Sequence, residues 1–467
     1  MMVHGAGAGP GELTTTQAPP SRDGPPWLLR CAALAIFAFP ANMVLDPLGA
    51  AGHVAMLLSL MLFFLWGASA LLGLHGSSTS RHPGRIALAM MLLATCITYV
   101  LLYSGLSGPS TVAGRASADR WVLLMAASTG LVLVTAETVK STAHALVLVR
   151  ALVRGAFFCC ALAAIQFITR TNPMETLQTF MVGFSDNGGN TTFQLRGGLM
   201  RVAGTTFTPI ELGVVASMAL PLSVWRSVFD PVGRKWLHWL VTGSLVFAIA
   251  ATISRSGMIS AAVAVLVSVP FLPKIGRQWA LIVIPVSVLG LFVAVPGLIA
   301  TLFGAATVSS SDPSISTRLN NYPRVEAMFL SRPVGGTGPG TYMPANALEL
   351  LDNQYLHSAV DMGLIGAVAV VVYFILPGMT TLQAARHASD PSLRCLAGAV
   401  AGAALVAAPA SATFDSLSFP VFSLLYPLIV GLGGAVWMLV KNESAPFQAV
   451  ALPPATSTPG RRTGTKE

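Results

Sequence analysis

Three clusters of residues have the types and spacing to act on an anion. The first reads Arg201-Val-Ala-Gly204-Thr-Thr-Phe-Thr-Pro209-Ile-Glu211-Leu-Gly213. Pro209 fits the first turn of a helix, so Glu211 enters the first apolar turns, where a carboxylate is costly unless paired or hydrated. The second is Thr252-Ile-Ser254-Arg255-Ser256-Gly257, a short turn between two apolar stretches. The third runs from Arg318 through Tyr322, Arg324 and Glu326 to Arg332-Pro333-Val-Gly335-Gly336-Thr-Gly338-Pro-Gly340-Thr-Tyr342, then Asp352-Asn353-Gln-Tyr355-Leu356-His357 and Asp361-Met-Gly363-Leu-Ile-Gly366. Arginine suits bidentate recognition of phosphate. A carboxylate or histidine within reach of a hydroxyl suits general base catalysis. The glycine run can cradle phosphates with backbone N–H groups, although it lacks the GK[ST] ending of a P-loop. Plainer readings stand beside these. Glu211 is a helix-start acid favoured by the macrodipole, Arg255 a snorkelling interfacial cation, and Gly335, Gly336 and Gly338 turn-formers.

The elements that must position these residues are apolar. Of 467 residues, 54% are hydrophobic and 10% charged, against roughly 45–50% and 25% in soluble domains. So few charges cannot cover a water-facing surface, which excludes an ordinary soluble enzyme. Twelve apolar stretches are long enough to span a membrane, at about 29–46, 53–74, 86–105, 121–136, 143–169, 208–225, 236–254, 257–273, 279–303, 357–377, 392–412 and 418–440. The expectation is an all-α polytopic bundle of about 12 spans over 27–440, between disordered cytoplasmic tails at 1–26 and 441–467.

With both termini inside, 18 of the 27 Lys and Arg residues fall on the cytoplasmic side, as the positive-inside rule requires. Every lysine is among them, so the outer cations, Arg120 included, are all arginines. The net charge of +9 therefore reflects inner loops and not nucleic-acid binding. Two outer segments are long, about 170–207 and 304–356, and long loops are usually functional or disordered. The five cysteines lie in apolar stretches and suggest neither disulfides nor a zinc site. No DxD pair, HExxH or P-loop is present, and no cofactor or metal is expected.

The ordered motifs over about 200–366 resemble the O-antigen ligase/O-antigen polymerase family of integral membrane glycosyltransferases. The family's Arg-x-x-Gly…Pro-Asn-x-x-Gly is similar to Arg201…Gly204…Pro209…Gly213, with Ile210 in place of Asn. Its Ser-Arg at a helix end matches Ser254-Arg255. Its Arg-x3-Trp followed by Pro-x2-Gly-x-Gly resembles Arg318…Tyr322…Pro333…Gly336…Gly338, and Arg324…Gly335 fits the Arg-x10-Gly spacing of polymerase loops. Its closing His-Asn-x-Tyr-Leu…Glu-x-Gly-Leu-x-Gly matches Asn353…Leu356 and Asp361…Gly366. Where the ligases carry histidine, this chain has Asp352.

The resemblance implies a GT-C-like membrane fold at the inner membrane. It also implies transfer of a glycan from a polyprenyl-diphosphate-linked oligosaccharide to a glycan or lipid acceptor on the outer face, with inversion. Because the diphosphate leaves, neither nucleotide nor metal is needed. Arg201, Arg255, Arg318 and Arg324 are the expected diphosphate ligands. Asp352 is the first choice to activate the acceptor hydroxyl, with His357, Glu211 and Asp361 as alternatives. A transporter or flippase of a lipid-linked saccharide is the competing class. It would place ionisable residues near the midplane, whereas here they gather at one face.

Overall fold

Prolines, glycines and capping side chains cut the apolar sequence into helices. The computed structural model describes residues 24–74, 81–188, 195–196, 199–294, 313–344 and 349–444. Helix α1 (Trp27–Ala38) stops before Pro40, as the residue ahead of a proline disfavours helical geometry. There follow α2 (Val54–Leu71), α3 (Pro83–Tyr103), α4 (Val112–Thr138), α5 (Thr142–Thr169), the short α6 (Pro173–Thr179), α7 (Pro209–Phe229), α8 (Lys235–Ala251), α9 (Arg255–Ser268) and α10 (Lys274–Ala294). The chain ends with α11 (Pro313–Ser331), α12 (Gln354–His387), α13 (Pro391–Leu405), α14 (Ala407–Ser411) and α15 (Pro420–Ser444). Thr111, Ser141, Thr208, Ser254, Asn353 and Asp390 each accept a first-turn N–H at a helix start.

A helix lies on each expected span, but among the described residues eight are long and apolar enough to cross a membrane: α2–α5, α7, α12, α13 run on through α14, and α15. Helices α1, α8 and α9 are shorter, and the stretch 279–303 runs from α10 beyond the described residues. The tails at 1–23 and 445–467, and residues 304–312 and 345–348 of the second outer segment, also lie outside them. The fold is mainly helical without being wholly so. The end of the expected first span is not helical: β1 (Met43–Leu45) pairs antiparallel with β2 (Phe184–Asp186) of the 170–207 segment, in which β3 (Leu195–Arg196) also pairs with β4 (Leu199–Met200).

Helices α7, α13 and α15 are the most enclosed, whereas α2 and α3 turn Phe64, Leu65, Ile86, Leu93 and Val100 outward. Tyr373 and Phe374 of α12 pack edge-on against Phe422 and Tyr426 of α15 at the centre, and those two rings stack on each other. At the end assigned to the cytoplasm, Asp230 accepts from Arg150 at 2.5 and 2.9 Å and from Arg226 at 3.3 Å. Burial pulls the Asp230 carboxyl up, but the hydrogen bonds from Arg150 and the Val232 N–H outweigh it and hold the group well below the usual carboxylate range. Lys235 Nζ donates to the carbonyls of Ser227, Val228 and Asp230.

The other end is held by main chain. Helix α12 breaks at Gly363, where φ is 61° and ψ −155°, geometry that favours glycine. The break releases backbone groups that need partners, and the glycine-rich loop supplies them. Leu364 N–H donates to the Pro333 carbonyl at 2.8 Å and Ile365 N–H to Val334 at 3.4 Å. In return Gly338 N–H donates to the Asp361 carbonyl at 2.8 Å and Thr337 N–H to Val360 at 3.3 Å. A Cβ on Gly336 would collide with the Asp361 carbonyl, and one on Gly363 with the Val334 carbonyl. Gly336→Ala should therefore lower the melting temperature by several degrees, with strain of about 1–3 kcal/mol. Gly67→Ala, in mid-helix and with its added methyl meeting nothing, should leave it unchanged or raise it slightly. Equal melting points for the two variants would show that the close approach does not matter.

Candidate active site

The three sequence clusters meet at this main-chain-held end in two neighbouring groups. In the first, the segment from Gly204 to Gly213 folds α7 onto the α8–α9 turn. Gly204 has φ of 59° and donates its N–H to Gln166 Oε1 at 2.8 Å. Thr208 caps α7 by accepting from Glu211 N–H at 3.1 Å, with Pro209 in the first turn. Gly213 and Gly257 face each other, and a Cβ on either would come within 3.0 Å of the other's Cα. That contact brings the start of α7 against the start of α9.

Arg201 is buried and its Nε donates to the Thr252 carbonyl at 2.8 Å. Arg255, three residues beyond Thr252, opens α9 and is half-buried. Between them Ile253 is buried with φ of 47°, a left-handed conformation that a β-branched residue adopts only when its surroundings enforce it. Glu211 is fully buried. Its Oε2 accepts from Phe207 N–H at 2.8 Å, and its Oε1 from Val421 and Phe422 N–H at 2.8 and 3.0 Å. Both carboxylate oxygens thus hold main chain, and the acid ties α7 to the first turn of α15, where the helix dipole favours negative charge.

The second group surrounds the broken helix. Asp361 is buried and its Oδ1 accepts from Tyr342 N–H at 2.8 Å. Its Oδ2 lies 3.4 Å from Nε2 of His357, one helical turn earlier. The His357 ring meets Tyr342 edge-on at 5.6 Å. Asn353 caps α12, and Gln354 Oε1 accepts from Leu417 N–H at 2.8 Å. Asp352 is exposed at the start of α12, close enough to Asp415 to influence its charge. Arg324 is paired with Glu349 at 2.8 Å. Arg318 belongs to α11, with its side chain outside the described residues. The N–H groups of Gly336 and Gly338 donate to the carbonyls of Arg332 and Asp361.

His357 opens on a chamber of about 440 Å³, within the size range of ligand sites. His53, Arg120, Trp121, Tyr342 and Asp415 share its wall. Phe207 and Pro420, which flank the Glu211 contacts, line it as well, so the two groups stand on either side of one partition. Burial drives the His53 imidazole down to about 4, leaving it neutral near pH 7. Burial pushes the Asp415 carboxyl up to about 6, against the pull of His357. The chamber therefore holds an imidazole with a fixed acid behind it, a second acid, a guanidinium and aromatic walls. Such a set can take a proton from a hydroxyl and stabilise an anion. Sequence reasoning passed over Asp415 and gave Arg120 no role. Both carried a signal: Asp415 is the acid in the short turn between the last two expected spans, and Arg120 one of the outer arginines.

Residues 240–371 match the O-antigen ligase family. The match runs from α8 into α12 and contains Arg255, the glycine loop, Asp352, His357 and Asp361; Arg201 and Glu211 precede it. No curated protein matches the chain. The family match supports membership of the O-antigen ligase/polymerase family and a membrane role in ligating or polymerising surface glycans.

Glu211→Gln replaces one acceptor oxygen by an amide NH2 facing a backbone donor. It should cost about 1–3 kcal/mol, read as a lower melting temperature; an unchanged melting temperature would detach Glu211 from the architecture. Asp415, with an ordinary value of 3.8 and about 6 when folded, keeps its proton longer in the folded state. Its contribution is complete below 3.8 and is lost as pH rises through 6. Asp415→Asn should therefore lose less thermal stability than the parent between about pH 4 and about pH 7. Parallel melting curves across that range would rule out the buried acid.

Proposed function

With the O-antigen ligase/polymerase family as premise, we propose that the chain is a metal-independent membrane glycosyltransferase. It moves a glycan from a polyprenyl-diphosphate-linked donor onto an acceptor hydroxyl at the outer face of the inner membrane. In this reading residues 27–440 form one transferase domain of about twelve spans, with both tails cytoplasmic. The observation that carries it is His357 on the chamber wall with the buried Asp361 carboxylate 3.4 Å behind it, within the stretch that matches the family.

His357 is the general base. A histidine takes a hydroxyl proton most readily when a second group fixes its ring and stabilises the imidazolium. Asp361 does this from behind, and the Tyr342 N–H and the main-chain clamp hold Asp361 in turn. Asp352, the first choice on sequence grounds, is an exposed acid outside the chamber wall and acts through its field on Asp415. Arg201 and Arg255 give the opposite side of the partition its positive charge. The donor supplies its own activation, so the protein orients two substrates and stabilises the charge that develops on the leaving diphosphate.

The test is transfer by the purified full-length protein from a synthetic polyprenyl-diphosphate oligosaccharide, with and without EDTA, with products sized by gel. His357→Ala should lower the rate by about a hundredfold or more with its melting temperature retained, and Asp361→Asn should follow it. A ladder of repeat lengths identifies a polymerase, and one shift on an added acceptor a ligase. Wild-type rates in His357→Ala would reject the base. Binding of the diphosphate lipid without transfer from any donor would favour transport.

A further inference from the structure

A displacement at an anomeric carbon puts the incoming hydroxyl and the departing phosphate on opposite sides of one atom. The cation that neutralises the leaving group must therefore share a space with the base. Among the described residues, the arginine that lines the His357 chamber is Arg120. Arg201, Arg255 and Arg324 are absent from its wall. Arg201 donates to the Thr252 carbonyl, and Arg324 is paired with Glu349.

Helix periodicity aims Arg120 into this space. Ser117, Arg120, Trp121 and Leu124 of α4 all line the chamber, and positions three, four and seven apart share one helix face. Arg120 Nη2 donates to Ser117 Oγ at 2.9 Å, which steadies the fork without neutralising it. The carboxylate next in sequence, Asp119, turns the other way and accepts from the hydroxyls of Tyr99 and Tyr103 at 2.8 and 2.7 Å. No described carboxylate forms an ion pair with Arg120. A half-buried guanidinium in that position has its charge and most of its donors to offer to an anion.

We propose that Arg120 binds the diphosphate of the lipid-linked donor and stabilises it as it leaves. The inference rests on the transferase reading above. The acceptor oxygen forms a bond to the anomeric carbon as the bond from that carbon to the phosphate oxygen breaks. The bonding pair departs on the diphosphate, beside Arg120, and the hydroxyl proton passes to His357.

The probe is a polyprenyl diphosphate without sugar, titrated into the full-length protein in lipid nanodiscs. Arg120→Gln should weaken binding by at least about tenfold, and Arg120→Lys should recover part of it, as a point charge replaces a planar fork. Arg115→Gln, one turn earlier on α4 and outside the chamber wall, should bind as the parent does. His357→Ala should also bind normally while losing transfer, because it removes the base alone. If Arg120→Gln fails to fold, Arg120→Lys with parental melting temperature and parental affinity is enough to reject the proposal. Parental affinity in Arg120→Gln with loss in Arg201→Gln or Arg255→Gln would overturn it and leave the transferase reading standing. Failure of the parent protein to bind the lipid at all would remove both.

Discussion

The break in α12 at Gly363 is the constraint on which the chamber end of the bundle depends. A helix that stops and restarts inside an apolar bundle exposes carbonyls and N–H groups where no water can satisfy them. Here the glycine loop repairs the fault by running its own backbone against the break, with donors and acceptors on both sides. That requires glycine where two main chains touch, at Gly336 and Gly363. The repair also fixes Tyr342, whose N–H holds Asp361, and with it the partner of His357. A backbone requirement thus propagates, contact by contact, to the orientation of one imidazole.

Glu211 plays a comparable part on the other side of the partition. Its two oxygens gather three N–H groups from two distant stretches of chain, so an acid far from α15 in sequence serves as that helix's cap. The opposite end of the bundle uses long cationic side chains on Asp230 and on helix-end carbonyls. One end is joined by side-chain charge and the other by main-chain hydrogen bonds around a cavity. The two suit different tasks: charge pairs hold helix ends in register beside a headgroup layer, and a satisfied backbone leaves the chamber's charges to be set by very few residues.

Much of this was legible in the sequence. Hydropathy placed the helices, and Pro209 marked the start of α7, because the proline rule acts locally. The three chemical clusters come together at one end of the bundle, as their arginines and acids led one to expect. Their grouping was not legible. That Arg201 reaches the Thr252 carbonyl depends on the Gly213–Gly257 contact, a long-range fit that no local pattern encodes. The partnership of His357 with Asp361 needed the helix start at Gln354 to be known. Asp415 and Arg120 join the site only because the turn before α15 and one face of α4 border the same cavity. The short strands β1 and β2 were missed because a three-residue ribbon between segments over a hundred residues apart leaves no periodic trace.

The clamp on α12 is written almost wholly in main-chain atoms. Substitutions that keep the glycines therefore leave it intact, whatever side chains are carried between them. Residues such as Met343 and Pro344, which line the chamber just beyond the clamp, are free of that duty. Natural variation can accumulate there at little cost to the base beneath. The fold thus separates a backbone contact that only glycine can keep from a chamber wall whose side chains are at liberty to change.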